Sequence, residues 1–306
     1  MPRADARHLL DVDALSDQDL EWLTARACEL ARGAAPASIA QTVVNLFFEP
    51  STRTRVSFEL AARRLGMTVV NVELDRSSSS KGESLEDTAA TLAAMGAGAI
   101  ILRHPETGRC HGLAQAVPTG LRLLNAGDGA GHHPSQALLD LATLIDAGID
   151  LRDRVVAIVG DVRHSRVARS DLAVFQRLGA AELRVAGPDS MLPDRLPSGI
   201  VRADSLDGAV RDAGVVVMLR VQHERMDRQA WPDPASYHLQ WGLRTEHLAM
   251  ADPGCRVLHP GPINRGMEIS SAVADGPQSL ILDQVRMGVF TRMAIFEWLF
   301  SDGART

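Results

Sequence analysis

The segment Ser51-Thr52-Arg53-Thr54-Arg55 brings two or three hydroxyls and a guanidinium to one place in the chain. It lies between a run that reads as a strand and a run that reads as a helix. The first N–H groups of a helix have no intrahelical partner, and the helix dipole adds positive potential there, so such a start suits a phosphate. It is not a Walker loop, because no GxxxxGK[ST] occurs in the chain. Local spacing leaves a second reading open, in which Ser51 or Thr52 caps the helix and the arginines point into water.

The same habit recurs after other predicted strands. Arg103-His104-Pro105 follows one, and His133-Pro134-Ser135-Gln136 opens another helix. His133 and Gln136 stand about one turn apart, so both can face one ligand and polarise a carbonyl oxygen. In the second half come Asp161-Val162-Arg163-His164-Ser165-Arg166, then Arg220-Val221-Gln222, then the rigid turn His259-Pro260-Gly261-Pro262. Each alone reads as a plain polar loop. Together, at so many strand ends, they point to one or two small and highly charged anions. Lys81 sits in the polar stretch Ser77-Ser78-Ser79-Ser80-Lys81-Gly82-Glu83 and on its own reads as a mobile surface lysine.

What the chain lacks narrows the chemistry further. HExxH, GxSxG and GxGxxG are absent, and no carboxylate pair has an evident role, so metal, covalent and dinucleotide chemistries lose ground and no cofactor or metal is expected. The net charge of −6 argues against a nucleic-acid partner and makes local clusters of cations stand out. Cys28, Cys110 and Cys255 show no zinc or CxxC spacing, and are expected as buried thiols in a reducing cytoplasm. No apolar run approaches the length of a membrane span.

The elements that must hold these residues can be read from hydrophobic pattern and breakers. Helices are expected over Leu15–Arg32 with Ser16 as N-cap, Arg53–Leu65, Ser84–Met95, Pro134–Ala147, Arg166–Leu178, Leu206–Ala213, and Gln278–Phe300 with a break near Gly288. Strands are expected over Val43–Phe48, Thr68–Val72, Ala99–Leu102, Leu121–Leu124, Val155–Val159, Glu182–Ala186, Val215–Leu219 and Arg256–Leu258. A glycine-rich turn, Asn125–Gly129, is expected after Leu124. Strands alternating with helices over 306 residues imply an α/β fold of two domains, each a parallel β-sheet flanked by helices, linked by interdomain helices. The expected division is 1–135 plus 290–306 for one domain and 136–289 for the other. Apolar residues are 45% but aromatics only 4%, so small aliphatic side chains must build the cores.

Taken in order, these motifs resemble the aspartate and ornithine carbamoyltransferase family. The likeness runs through Phe48-Glu49-Pro50-Ser51-Thr52-Arg53-Thr54-Arg55, Ser80-Lys81-Gly82-Glu83-Ser84, Arg103-His104-Pro105 and Asn125-Ala126-Gly127-Asp128-Gly129. It continues through His133-Pro134-Ser135-Gln136, Gly160-Asp161 with Arg166, Leu219-Arg220-Val221-Gln222 and His259-Pro260-Gly261-Pro262. It covers essentially the whole chain, and the set is specific although each member is weak. The ornithine branch carries His-Cys-Leu-Pro where this chain has His259-Pro260-Gly261-Pro262. The Ser-Lys-Gly-Glu and Arg-Val-Gln segments resemble elements for the two carboxylates of aspartate, so the aspartate branch is the expectation.

The resemblance implies roles residue by residue. Ser51, Arg53 and Thr54 would hold the phosphate of carbamoyl phosphate, with the Thr52 N–H contributing. Arg103 would bridge phosphate and carbonyl oxygens, His133 would bond the carbonyl oxygen, and Gln136 the carbamoyl amine. Backbone groups of Gly261 and Pro262 would meet the carbamoyl end. Arg166, Arg220 and Gln222 would grip aspartate. Lys81, with Ser77, would enter from the neighbouring subunit of a homotrimer with shared active sites. Arg53, Thr54, Lys81, Arg103 and His133 would be the catalytic set, and Arg292 resembles a family residue near the phosphate. Val167 and Gly261 depart from Thr and Leu in relatives. The implied activity is carbamoyl transfer to L-aspartate in pyrimidine biosynthesis, helped by domain closure, with a regulatory chain or dihydroorotase as possible partners. A carbamoyltransferase for another amine, such as ornithine, and a non-catalytic scaffold of the same fold are the alternatives.

Overall fold

The computed structural model describes residues 7–72, 83–222 and 231–301. The chain divides into two compact units, Met1–Ala142 with Arg286–Thr306, and Thr143–Val285. Each carries its own parallel sheet.

The first unit runs α1 (Asp17–Ala31), β1 (Thr42–Phe47), α2 (Thr52–Arg64), β2 (Thr68–Val72), α3 (Leu85–Ala94), β3 (Ala97–His104), α4 (Arg109–Ala114) and β4 (Arg122–Asp128), and enters α5 (Pro134–Asp146). Its strands pair in the order β2-β1-β3-β4, all parallel. Side chains alternate between the two faces, as the pleat requires. Val43, Ala99, Ile101, Leu124 and Ala126 pack on one face with Leu20, Leu23 and Ala27 of α1 and Phe58, Ala61 and Ala62 of α2. Val44, Leu46, Ile100, Leu102 and Leu123 pack on the other with Ala89 of α3 and Cys110 and Leu113 of α4. A parallel sheet covered on both faces needs such apolar strands. Ser16 starts α1 through a reciprocal capping box with Asp19.

The second unit continues with β5 (Val155–Val159), α6 (Arg166–Arg177), β6 (Glu182–Ala186), β7 (Ile200–Arg202), α7 (Leu206–Val210), β8 (Ala213–Met218), α8 (Pro234–Trp241), α9 (Thr245–Leu248), β9 (Arg256–Leu258) and α10 (Ser271–Ala274). The last helix is α11 (Ile281–Phe300). The second sheet is β7-β6-β5-β8-β9, again all parallel. The divisions between the units fall inside α5 and α11, so helices link the two sheets as the alternation of elements implied.

Several elements differ from expectation. β4 runs on to Asp128, through the residues expected to form a turn. The Asn125 amide donates to Leu10 O (2.8 Å) and to Asp128 Oδ1 (3.1 Å), which lets a polar stretch lie buried. β3 extends through His104, so Arg103 is a strand residue rather than part of the following turn. Ala213 belongs to β8 rather than to the helix before it, and α11 passes Gly288 unbroken.

Candidate active site

Parallel open sheets bind ligands where the strand order reverses, outside the carboxyl ends of the strands on either side. In the first sheet that place lies between β1 and β3, and in the second between β5 and β8. The segment Glu49–Arg55 follows β1, and Arg103 closes β3 beside it, in register with Phe47. Asp161–Arg166 follows β5, and Arg220–Gln222 follows β8, whose Met218 pairs with Val159. Each unit therefore presents its expected anion-binding residues at its own reversal point.

At the first reversal point, α2 starts at Thr52 with Ser51 at the cap position, yet the Ser51 side chain makes no capping bond. By contrast, side chains cap α1, α3, α6, α7, α8 and α10, through Ser16, Ser84, Ser165, Ser205, Asp233 and Ser270. Capping by Ser51, one of the two local readings of this segment, is thereby not realised. Thr52 and Arg53 are exposed on the first turn, and Thr54 is buried. Arg103 is half-buried, its Nη1 donating to Ala126 O (3.1 Å) and its Nε facing Glu49 Oε2 at 3.3 Å. These contacts hold the guanidinium against the strand ends. Burial of the neighbouring His104 lowers the pKa of its imidazole.

His133 and Gln136 stand at the start of α5, both buried. Gln136 Nε2 lies 2.9 Å from Asp140 Oδ1, one turn along the helix. A carboxylate only accepts, so the amide nitrogen must be the atom turned inward. The Gln136 carbonyl oxygen is therefore the atom left to meet an N–H donor. Arg292 lies on α11 with its residue 3% exposed, Nη1 donating to Gly288 O (2.9 Å) and Nη2 to Ser135 Oγ (3.4 Å). It stacks 4.7 Å over the Phe58 ring, and burial brings its pKa down to about 10 against the opposing pull of Asp140. The structure thus sets Arg292 behind the His133–Gln136 turn.

At the second reversal point, Asp161 is fully buried and holds three groups. Its Oδ1 accepts from the His164 N–H (3.3 Å) and faces the His164 ring at 2.8 Å, and its Oδ2 accepts from the Gln222 N–H (3.2 Å). Arg166 opens α6 at 5% exposure, with Ser165 capping the helix. The positive end of a helix disfavours a buried cation, a placement that an anionic ligand offsets. Arg220 and Gln222 are half-buried on the neighbouring strand end. Gly261 and Pro262 follow β9, joined by a cis peptide, with Gly261 at φ +67°, where glycine has no steric penalty. Lys81 and Ser77 lie outside the described residues.

Sequence reasoning did not single out Glu49, Asp140 or Glu268 as supports. Glu49 adjoins the phosphate motif, and Asp140 falls four residues after Gln136, so helix spacing was a usable signal. Glu268, nine residues beyond His259, had none.

Residues 7–146 match the family model described as aspartate/ornithine carbamoyltransferase, carbamoyl-P binding domain, and residues 152–299 match the Asp/Orn binding domain of the same family. The chain is 47% identical over 303 residues to the aspartate carbamoyltransferase catalytic subunit of Stenotrophomonas maltophilia (strain R551-3), covering 96% of each chain. It is 48% identical over 302 residues to that of Xanthomonas campestris pv. campestris (strain B100), again over 96% of each. Among solved structures it is similar to aspartate transcarbamoylase from Trypanosoma cruzi in complex with N-(phosphonacetyl)-L-aspartic acid (TM-score 0.83, 28% identity, 95% of each chain). The carbamoyl phosphate complex of that enzyme gives the same TM-score of 0.83 at 28% identity, again over 95% of each chain. With both domain models matched in order over nearly the whole chain, the chain belongs to the aspartate/ornithine carbamoyltransferase family.

Proposed function

We propose that the chain transfers the carbamoyl group from carbamoyl phosphate to the α-amine of L-aspartate, giving N-carbamoyl-L-aspartate and phosphate, a step of pyrimidine biosynthesis in the cytoplasm. The observation that carries this reading is the uncapped start of α2 beside Arg103, at the reversal point of the first sheet. The aspartate-named relatives over nearly the full chain favour aspartate over ornithine.

In this reading Ser51, Arg53, Thr54 and the Thr52 N–H hold the phosphate. Arg103 and His133 meet the carbonyl oxygen, and the Gln136 carbonyl accepts from the carbamoyl amine. Arg166, Arg220 and Gln222 bind the carboxylates of aspartate. Lys81 and Ser77 are assigned to a neighbouring subunit of a homotrimer. The uncharged amine attacks the carbonyl carbon, its lone pair forming the C–N bond while the C=O pair moves to oxygen. Arg103, His133 and Thr54 stabilise that oxyanion. The pair then returns, the bond from carbon to the phosphate oxygen breaks, and the departing phosphate takes the amine proton. No protein nucleophile is required. Both substrates are anions that repel each other, and charge-assisted contacts worth about 1.5–3 kcal/mol each offset that repulsion. Positioning alone can supply about 7–11 kcal/mol of the barrier reduction.

A panel of amines offered with carbamoyl phosphate tests the assignment. Aspartate should be the accepted amine. Preferential carbamoylation of ornithine would overturn it.

A further inference from the structure

The His259–Glu268 pair lies behind the turn Gly261-Pro262, and its bonding fixes one tautomer. Gly261 N lies 2.8 Å from His259 Nδ1, and His259 Nε2 lies 3.1 Å from Glu268 Oε1. The Gly261 N–H can only donate, so Nδ1 must be the lone-pair nitrogen. The ring proton then sits on Nε2 and is donated to the Glu268 carboxylate. Both side chains are fully buried. The same Glu268 oxygen accepts from the Asn264 N–H at 2.5 Å, and the His259 N–H donates to Gln284 Oε1 at 2.8 Å. The segment after β9 is thus folded back on one carboxylate and one imidazole.

The bond from residue 261 back to the side chain of residue 259 has the connectivity of an Asx turn, with an imidazole nitrogen in place of an asparagine oxygen. It also uses the only N–H that Gly261 and Pro262 possess, since proline has none. What the pair can then offer a ligand is carbonyl oxygens. We infer that His259 and Glu268 are positioning residues that make the Gly261-Pro262 turn acceptor-only, so that it reads the amine of the carbamoyl group. This rests on the reading in which that turn meets the carbamoyl end of carbamoyl phosphate. A neutral imidazole whose lone pair is directed inward holds the turn in place, and Glu268 keeps the ring from rotating.

Two substitutions separate the halves of the pair. His259→Asn keeps an acceptor at the Nδ1 position and can form a true Asx turn. His259→Gln keeps a donor for Glu268 but withdraws the acceptor from Gly261. The KM for carbamoyl phosphate should rise about tenfold in His259→Gln, the effect of one lost hydrogen bond, and by less than about threefold in His259→Asn. Inhibition by inorganic phosphate, which has no amine, should keep its constant within about twofold in both, and kcat should change less than KM. Equal effects of the two substitutions, or a matching loss of phosphate binding, would overturn the assignment. Nitrogen NMR of histidine-labelled wild-type chain gives a reading that needs no variant: the His259 ring should show a protonated Nε2 and a bare Nδ1. The opposite tautomer, or a charged ring, would contradict the pair. An inactive wild-type chain with the expected tautomer would instead count against the proposed reaction and leave the pair standing.

Discussion

The carboxylate of Asp161 accepts a hydrogen bond from the backbone N–H of Gln222 at 3.2 Å, which ties the loop after β5 to the loop after β8. Arg166 ends the first of these loops, where α6 begins, and Arg220 lies on the second. The same buried carboxylate anchors His164, so one side chain fixes the spacing of both arginine-bearing loops. Asp161→Ala should therefore raise the KM for aspartate about tenfold and lower unfolding stability by about 1–3 kcal/mol through the orphaned N–H groups. Kinetics with both substrates and denaturant melts check this. A normal KM for aspartate would mean that the loops keep their spacing without the tie.

The guanidinium groups themselves should act more selectively. Arg166→Ala and Arg220→Ala are each expected to raise the KM for aspartate by roughly 10-fold or more, the worth of a charge-assisted contact, with the KM for carbamoyl phosphate nearly unchanged. A comparable rise for both substrates would argue against their assignment to aspartate.

Asp140 faces the amide nitrogen of Gln136 at 2.9 Å. Asp140→Asn provides a donor there and lets the Gln136 amide turn round, presenting N–H to the carbamoyl amine in place of an acceptor. Activity at low carbamoyl phosphate should fall about tenfold, the cost of one mispaired hydrogen bond, while Asp140→Glu keeps the acceptor and should lose less. Equal activity of the asparagine and wild-type chains would remove the orienting role.

Shared sites have a separate signature. Arg53→Ala should lower kcat by about 100-fold or more, in the range for losing one preorganised charge-stabilising group, and Lys81→Ala should do likewise with the assembly folded. Exchanged hybrids of the two inactive variants should regain part of the activity. No recovery in properly mixed assemblies would place Lys81 outside its neighbour's site.

Burial is the leading cause that lowers the pKa of His104 and His247 below the ordinary 6.5. As pH falls through 6.5, the unfolded chain takes up protons that the folded chain refuses, so stability is full above that value and declines below it. Replacing both histidines with glutamine should flatten the fall in stability on acidification from about pH 6.5 to about pH 5. Denaturant unfolding across that range measures the slope, and an unaltered slope would show that other groups carry it.

Much of the fold was legible because the central strands are continuous apolar runs. Val155–Val159 was expected and is β5, and the run expected over Val43–Phe48 is β1, Thr42–Phe47; such runs are apolar because both faces of the sheet are covered. The missed pieces lack that signal. β7 is three residues long with Val201 and Arg202 exposed, and α4, α9 and α10 are too short to show a helical period. The extension of β4 through Asn125 and Asp128 depends on partners far away in the chain, such as Leu10 O, which no local pattern reveals. The site shows the same division. Ser51 to Arg55 and Arg103 announced themselves by residue type, whereas Glu268 is recognisable only once it is seen on His259 Nε2.

In the proposed reaction, fixed positive groups force two mutually repellent anions to react without help from a protein nucleophile. Its most direct test is the rate of carbamoyl aspartate formation by the purified chain, with and without Arg53→Ala, from carbamoyl phosphate and L-aspartate. Steady turnover by the wild-type chain and a loss of about 100-fold or more in the variant are expected. A folded wild-type chain that makes no carbamoyl aspartate, or a variant that turns over as fast, would contradict it.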